Sequence, residues 1–155
     1  MMEAVPQMAD SIRICHLFEL PPEVEALRFE AITQGFGFMD RLTADWVSGA
    51  NTFSRRGECF LGAFVAEGLI GVGGLNVDPY LPRTDVGRLR HVYVLDERRR
   101  QGSGRLLVAR LLDEARRSFG KVRLRTDTER AASFYVRCGF SLVNDPTASH
   151  AMNLA

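Results

Sequence analysis

The chain has 155 residues, 46% of them hydrophobic, with twenty lysines and arginines against nineteen aspartates and glutamates. This length and apolar fraction suit one domain with its own core, and the near-zero net charge gives no electrostatic reason to expect nucleic acid or a membrane surface as partner. The three cysteines, Cys15, Cys59 and Cys138, lack paired metal-ligand spacing and lie in or beside apolar stretches, as expected of reduced thiols in a cytoplasmic protein without a bound metal. The opening MMEAVPQMAD lacks the basic start and apolar run of a secretory signal, and no later segment approaches the ~18 apolar residues that span a bilayer. Residues 1–10 read as a loose tail before a single domain over 11–155.

In chain order, Ile12 to Phe18 alternates and is rich in β-branched residues, which predicts a first strand. Pro21-Pro22 opens a helix carrying Val24, Leu27, Phe29 and Ile32 to a stop at Gly35, and a second helix runs from about Phe38 to Val47, ending near Gly49. Glu58 to Ala66 is almost wholly apolar, which suits a strand covered on both faces. The Glu67-Gly68 turn then leads into a strand over Leu69 to Val77, so the two form a hairpin. After a loop marked by Pro79 and Pro82, Arg88 to Leu95 is a further strand, with His91 alternating with Leu89, Tyr93 and Leu95.

From Gly104 to Phe119, Leu107, Val108, Leu111, Leu112, Ala115 and Phe119 recur at helical spacing, and Gly120 stops the helix. Val122, Leu124 and Thr126 alternate in a short strand. Thr128 caps a helix to Arg137, Gly139 ends it before a strand from Phe140, and Ala148 to Leu154 is the last strand. A strand-loop-helix-strand run implies a right-handed crossover between parallel strands. The expected fold is α/β of the mixed kind: a mostly antiparallel sheet with a central parallel pair, flanked by helices.

Seven arginines lie from Arg83 to Arg105, and the turn Arg99-Arg100-Gln101-Gly102-Ser103-Gly104 sits between a strand and a helix. Glycines there let the backbone approach a ligand, and the unpaired amides of the helix start favour an anion such as phosphate. A dinucleotide fingerprint would need glycine where Leu107 stands, and a nucleotide P-loop would need Gly-Lys-Ser/Thr, which is absent. A plain glycine turn with a solvated arginine run remains the competing reading.

In this region the sequence resembles the Gcn5-related N-acetyltransferases (GNAT), whose pattern is Arg/Gln-x-x-Gly-x-Gly/Ala after a strand with an aliphatic end. Here Val94, Arg99, Gly102 and Gly104 stand in that register. The family's later helix with an aromatic-Tyr pair and a Gly-Phe end corresponds to Phe134-Tyr135 and Gly139-Phe140. The resemblance covers Leu69 to Phe140 well, and the first third only by element order.

It implies acetyl-CoA as cofactor, with Arg99, Arg100, Gln101, Gly102, Ser103, Gly104 and Arg105 forming the pyrophosphate turn. It further implies Val92, Tyr93 and Val94 pairing with the pantetheine arm as an added strand. Thr128 stands where many members carry an Asn that touches the pantetheine. The strand containing Val92 splays from its parallel neighbour in this family, which opens the cleft where thioester and acceptor meet.

By the same resemblance Tyr135 is the acid that protonates the departing thiolate; its alternative is a packing role beside Phe134 and Phe140. An alkylamine acceptor of pKa ~10.4 is neutral in only about one molecule in two thousand at pH 7, a deficit of roughly 4 to 5 kcal/mol. The family glutamate that often relieves it is replaced by Arg88. His91 is the nearest residue with a suitable ordinary pKa, either as base or as a buried strand residue; Glu58 and Asp85 could act through water.

Arg83, Arg88 and Arg90 suggest an acceptor with a carboxylate or phosphate, or else a solvated strand face. Phe36, Phe38 and Met39 border the acceptor pocket by resemblance. The expected activity is acetyl transfer to the amine of a small molecule or an amino terminus, with a CoA-binding module that has lost catalysis as the alternative. A homodimer through the last strands is a further expectation.

Overall fold

The computed structural model describes residues 11–66 and 68–154. The expected tail over 1–10 and Glu67 of the predicted turn lie outside them. The elements are β1 (Ile12–His16), α1 (Val24–Thr33), α2 (Phe38–Ser48), β2 (Cys59–Val65), β3 (Gly68–Val77), β4 (Val86–Val94), α3 (Ser103–Ala115), β5 (Lys121–Leu124), α4 (Glu129–Arg137), β6 (Ser141–Asp145) and β7 (Ala148–Asn153), with one 3-10 turn over Asp96–Arg98. They form a seven-stranded sheet in the order β1-β2-β3-β4-β5-β7-β6. Only β4 and β5 pair in parallel; every other neighbouring pair is antiparallel.

The two larger clusters of the core sandwich this sheet. On one face α3 sets Leu107, Val108, Leu111 and Leu112 against Leu61, Leu75, Leu89 and Val122, with Phe134 and Tyr135 of α4 packed on the margin. On the other, Leu27 and Ala31 of α1 and Met39 and Leu42 of α2 meet Phe53, Phe60, Val72 and Tyr93. β2 and β3 are apolar along their length because both faces are covered.

Several expectations shift. Phe29 and Ile32 are 68% and 42% exposed, and Ala31 takes the buried position instead, because α1 presents only one stripe to the sheet. α3 ends at Ala115 rather than Phe119, and Phe119 returns to the core from the turn that follows. β5 ends at Leu124, so Thr126 is beyond the strand. β1 stops at His16, leaving Phe18 86% exposed.

Within β4 the pairing with β3 is irregular: Arg90 stands opposite Gly74 and Tyr93 opposite Val72, so His91 and Val92 together face Gly73. That is a β-bulge, and His91 carries it in the left-handed region with φ 59. The extra residue reverses the alternation. Leu89 faces α3, whereas His91 packs its ring against Phe38 and Phe53 on the opposite face, at 6.1 and 6.2 Å between centroids. His91 therefore does not share a face with Leu89.

Candidate active site

The parallel ladder is short. β4 pairs with β5 only at Val86↔Lys121, Gly87↔Val122 and Arg88↔Arg123, while β4 continues to Val94. The edge of β4 from the bulge onward is consequently open toward β5, where an extended chain could complete the ladder. Val92, Tyr93 and Val94 lie on this stretch.

A side-chain clamp marks where the strands part. Asp78, fully buried just after β3, accepts from Nη1 of Arg88 at 3.3 Å and from Nε of Arg123 at 2.8 Å through one carboxylate oxygen. Arg88 also donates to the Thr147 carbonyl at 2.8 Å and lies over the Tyr80 ring. The residue is 6% exposed and its guanidinium is engaged at both ends, so the expected substrate-binding role for Arg88 is corrected: it belongs to the frame of the cleft. Arg83, the other suggested anion binder, is paired with Asp85 at the surface.

Beyond the open edge the chain enters the glycine turn. Arg100 and Gly102 both have positive φ, 67 and 86, bending the backbone twice in three residues before α3 begins at Ser103. A Cβ on Gly102 would meet nothing within 4 Å, so this glycine serves the backbone angle and leaves the space above the helix start open. A Cβ on Gly104 would come within 3.3 Å of the Phe134 ring; its smallness lets α3 and α4 approach.

Ser103 is 1% exposed, and its hydroxyl has no hydrogen-bond partner among the described residues. An orphaned buried hydroxyl at a helix start, next to amides lacking intrahelical partners, suits an anion. Arg100 and Arg105 are exposed beside it, and Gln101 forms the tip.

Arg99 points elsewhere. It donates to the Val94 carbonyl at 2.8 Å and to Gln34 Oε1 at 3.2 Å, and lies 5.0 Å above the Tyr93 ring. The Tyr93 hydroxyl donates to Glu30 Oε1 at 2.5 Å, and the same oxygen accepts from the Asp96 amide at 2.9 Å. Burial and the Glu30 contact hold the Tyr93 phenol well above its ordinary pKa. The network fastens α1 to the root of the turn. Thus Arg99 contributes its main chain to the turn, and its side chain to the support beneath it. Glu30 and Gln34 escaped sequence reasoning because they sit some sixty residues from their partners with no motif of their own.

Tyr135 packs edge-on against Phe134 and Phe140, with centroids 5.1 and 5.7 Å apart. Burial raises its pKa, so it keeps its proton throughout the neutral range, and its hydroxyl makes no hydrogen bond to any described residue. Thr128 caps α4, accepting from the Ala131 amide at 3.2 Å, which leaves its O–H free to donate.

The acceptor-side residues divide. Met39 is wholly core, which corrects its expected place on the pocket wall; Phe36 and Phe38 are half-buried, with the Phe38 ring 6.1 Å from that of Tyr93. His91 is 8% exposed, and neither ring nitrogen has a hydrogen-bond partner among the described residues. Burial pushes its pKa down to about 3, and the charges of Arg90 and Arg41 push the same way; the Phe38 backbone, short of hydrogen-bond geometry, opposes this weakly. A ring so reluctant to take a proton is a poor base. Glu58 spends its two oxygens on the amides of Arg55 and Val77, at 3.0 and 2.9 Å.

A split parallel pair beside a glycine turn at a helix start has the geometry to take an extended, anionic ligand into the sheet. The Acetyltransferase (GNAT) family model matches residues 16–140, and the chain belongs to that family. Among solved structures, an acetyltransferase from Exiguobacterium sp. 255-15 is 25% identical, with 92% of this chain and 93% of that one covered at a TM-score of 0.82. A GNAT-family acetyltransferase from Staphylococcus aureus Mu50 is 16% identical over 94% of this chain and all of that one, TM-score 0.73. An acetyltransferase from Salmonella typhimurium, solved with its cofactor acetyl-CoA, is 16% identical over 93% and 94%, TM-score 0.65.

Proposed function

We propose that the protein transfers an acetyl group from acetyl-CoA to the amine of a small molecule or an amino terminus. The observation that carries the cofactor reading is the orphaned Ser103 hydroxyl, buried at the start of α3 in the residue after Gly102, where an added Cβ would meet open space. A pyrophosphate there would accept from that hydroxyl and from the free amides of the first helical turn. Arg100 and Arg105 add cationic charge at the rim. The unpaired edge of Val92 to Val94 offers main-chain groups to an extended arm, and the Thr128 O–H offers a donor across the gap. These features fit the cofactor, which supplies an acetyl thioester when bound.

The chain's own residues set the proton chemistry. Tyr135 keeps its proton at Oη through the neutral range with no competing partner among the described residues, so a donor is present there; burial makes it a weaker acid than a free phenol, and donation depends on hydrogen-bonded positioning rather than on acidity. It is therefore assigned as the acid for the leaving thiolate. On the acceptor side His91 stays neutral and enclosed, so its expected role as base is replaced by one in shaping the bulge. The acceptor amine thus arrives neutral, or loses its proton to water.

Calorimetric titration of acetyl-CoA, followed by thiol release with a panel of amines, tests the reading. Micromolar-range binding together with amine-dependent thiol release is the expected result. Absence of binding would remove the cofactor site, and binding without release for any amine would remove the transferase.

A further inference from the structure

Arg88 and Arg90 stand two residues apart on β4, and their guanidinium groups have different fates. Arg88 is consumed by the Asp78 clamp. Arg90, half-buried on the α1/α2 face, has no carboxylate partner among the described residues, and its one polar contact with them is a long 3.5 Å approach of Nη1 to Asn76 Oδ1. Asn76 is itself fixed by a reciprocal amide pair with Asn51, at 2.9 and 3.0 Å. A half-buried guanidinium with no carboxylate among the described residues keeps most of its donors available, and an anionic ligand would supply the counter-charge.

Arg90 lines a cavity of about 360 Å³, together with Asp45, Asn51, Arg55, Glu58 and Asn76. That volume suits a small molecule. The Glu58 carboxylate is occupied by backbone amides. Asp45 faces the same cavity without pairing with Arg90 or any other described cation, so opposite charges are held apart across it. On the side toward the bulge, Arg41 of α2 is exposed and also without an ion pair among the described residues, and after burial its charge and that of Arg90 lower the pKa of His91.

We propose that the acceptor is an amine that also carries an oxyanion, a carboxylate or a phosphate, and that Arg90 binds this oxyanion in the cavity between α2 and the β3–β4 strands. Arg41 reinforces the positive field at the end nearest the bulge. The guanidinium fork matches either oxyanion in bidentate fashion. The proposal rests on the transferase reading and adds the acceptor's chemical class to it.

The test compares matched acceptors by thiol release: free amino acids against their primary amides, and glucosamine 6-phosphate against glucosamine. The wild type is expected to prefer the anionic member of one pair by about 30-fold in kcat/KM, the scale of a charge-assisted hydrogen-bond pair. Arg90→Gln should reduce that preference to about threefold or less, mainly through KM, and Arg90→Lys should restore part of it. The pair that shows the effect identifies the oxyanion. Equal rates within both pairs, a preference that survives in Arg90→Gln, or no turnover of any acceptor would overturn the assignment. Acetyl-CoA titration and thermal melting of the same samples separate the two readings. Normal cofactor binding confines a failure to the acceptor class, whereas absent binding takes the transferase reading with it.

Discussion

Gly102 allows charge to be tested at the turn with little change in shape. Its φ of 86 and ψ of 0 are in the left-handed region, and a side chain there would enter open space. Asn and Asp tolerate this conformation better than other residues, and both are favoured at helix N-caps, the position Gly102 occupies at α3. Gly102→Asn and Gly102→Asp should therefore both fold, with melting temperatures close to that of the wild type.

They differ in one charge. A carboxylate about 6 Å from a doubly charged pyrophosphate, at an effective dielectric constant of about 40, is opposed by roughly 3 kcal/mol, or about 100-fold in Kd. Calorimetry should place Gly102→Asn within about fivefold of the wild type and Gly102→Asp about 100-fold weaker, with the gap narrowing in 0.5 M salt, a condition chosen because the Debye length is then only about 4 Å. Equal affinity of the two variants for acetyl-CoA would refute the idea that an anion sits over this turn.

Two further outcomes follow from the titrating groups. Tyr135→Phe should lower kcat by about 10²-fold or more while leaving acetyl-CoA affinity within about twofold, measured by steady-state kinetics and calorimetry; unchanged turnover would return the ring to a packing role. His91 is expected to leave no trace in the pH profile. With its pKa near 3, activity should climb with pH toward the acceptor's own pKa, and an inflection near 6.5 that vanishes in His91→Asn would contradict this.

Stability gives the complementary reading. Because the folded-state pKa lies below the ordinary value of 6.5, the unfolded chain takes up the proton first, and stability declines as pH falls from about 6.5 toward 3. Between pH 6.5 and 4 His91 contributes about 3 kcal/mol of this loss, which His91→Asn should abolish in urea melts at the two pH values.

The sequence carries the local signals clearly and the long-range ones hardly at all. The Thr128 cap, the Gly49 stop, the β2–β3 hairpin and the glycine turn each depend on neighbours a few residues away, and their residue types state the requirement. The bulge at His91 does not, because nothing in Arg90-His91-Val92 announces a positive φ on a histidine. Its position is set by register against Gly73 on another strand, and a one-residue slip sends His91 to the opposite face from the one that alternation indicates. The fate of the arginines is hidden for the same reason. Arg88 and Arg90 look equivalent in sequence, and only the placement of Asp78 separates a framework residue from a free one. The resemblance places Met39 on the pocket wall with Phe36 and Phe38, yet its side chain is fully buried in the core.

Asp78 also sets the mechanics of the cleft. Because it grips Arg88 and Arg123, the last residues of β4 and β5 that pair, the strands are pinned by side chains at the point where the backbone ladder stops. Any force spreading the open ends acts on a lever whose fulcrum is this pair of arginines. The two residue pairs behind it, Val86↔Lys121 and Gly87↔Val122, are shielded from that load. The opening can then be widened or narrowed by substitutions beyond the bulge while the rest of the sheet remains zipped.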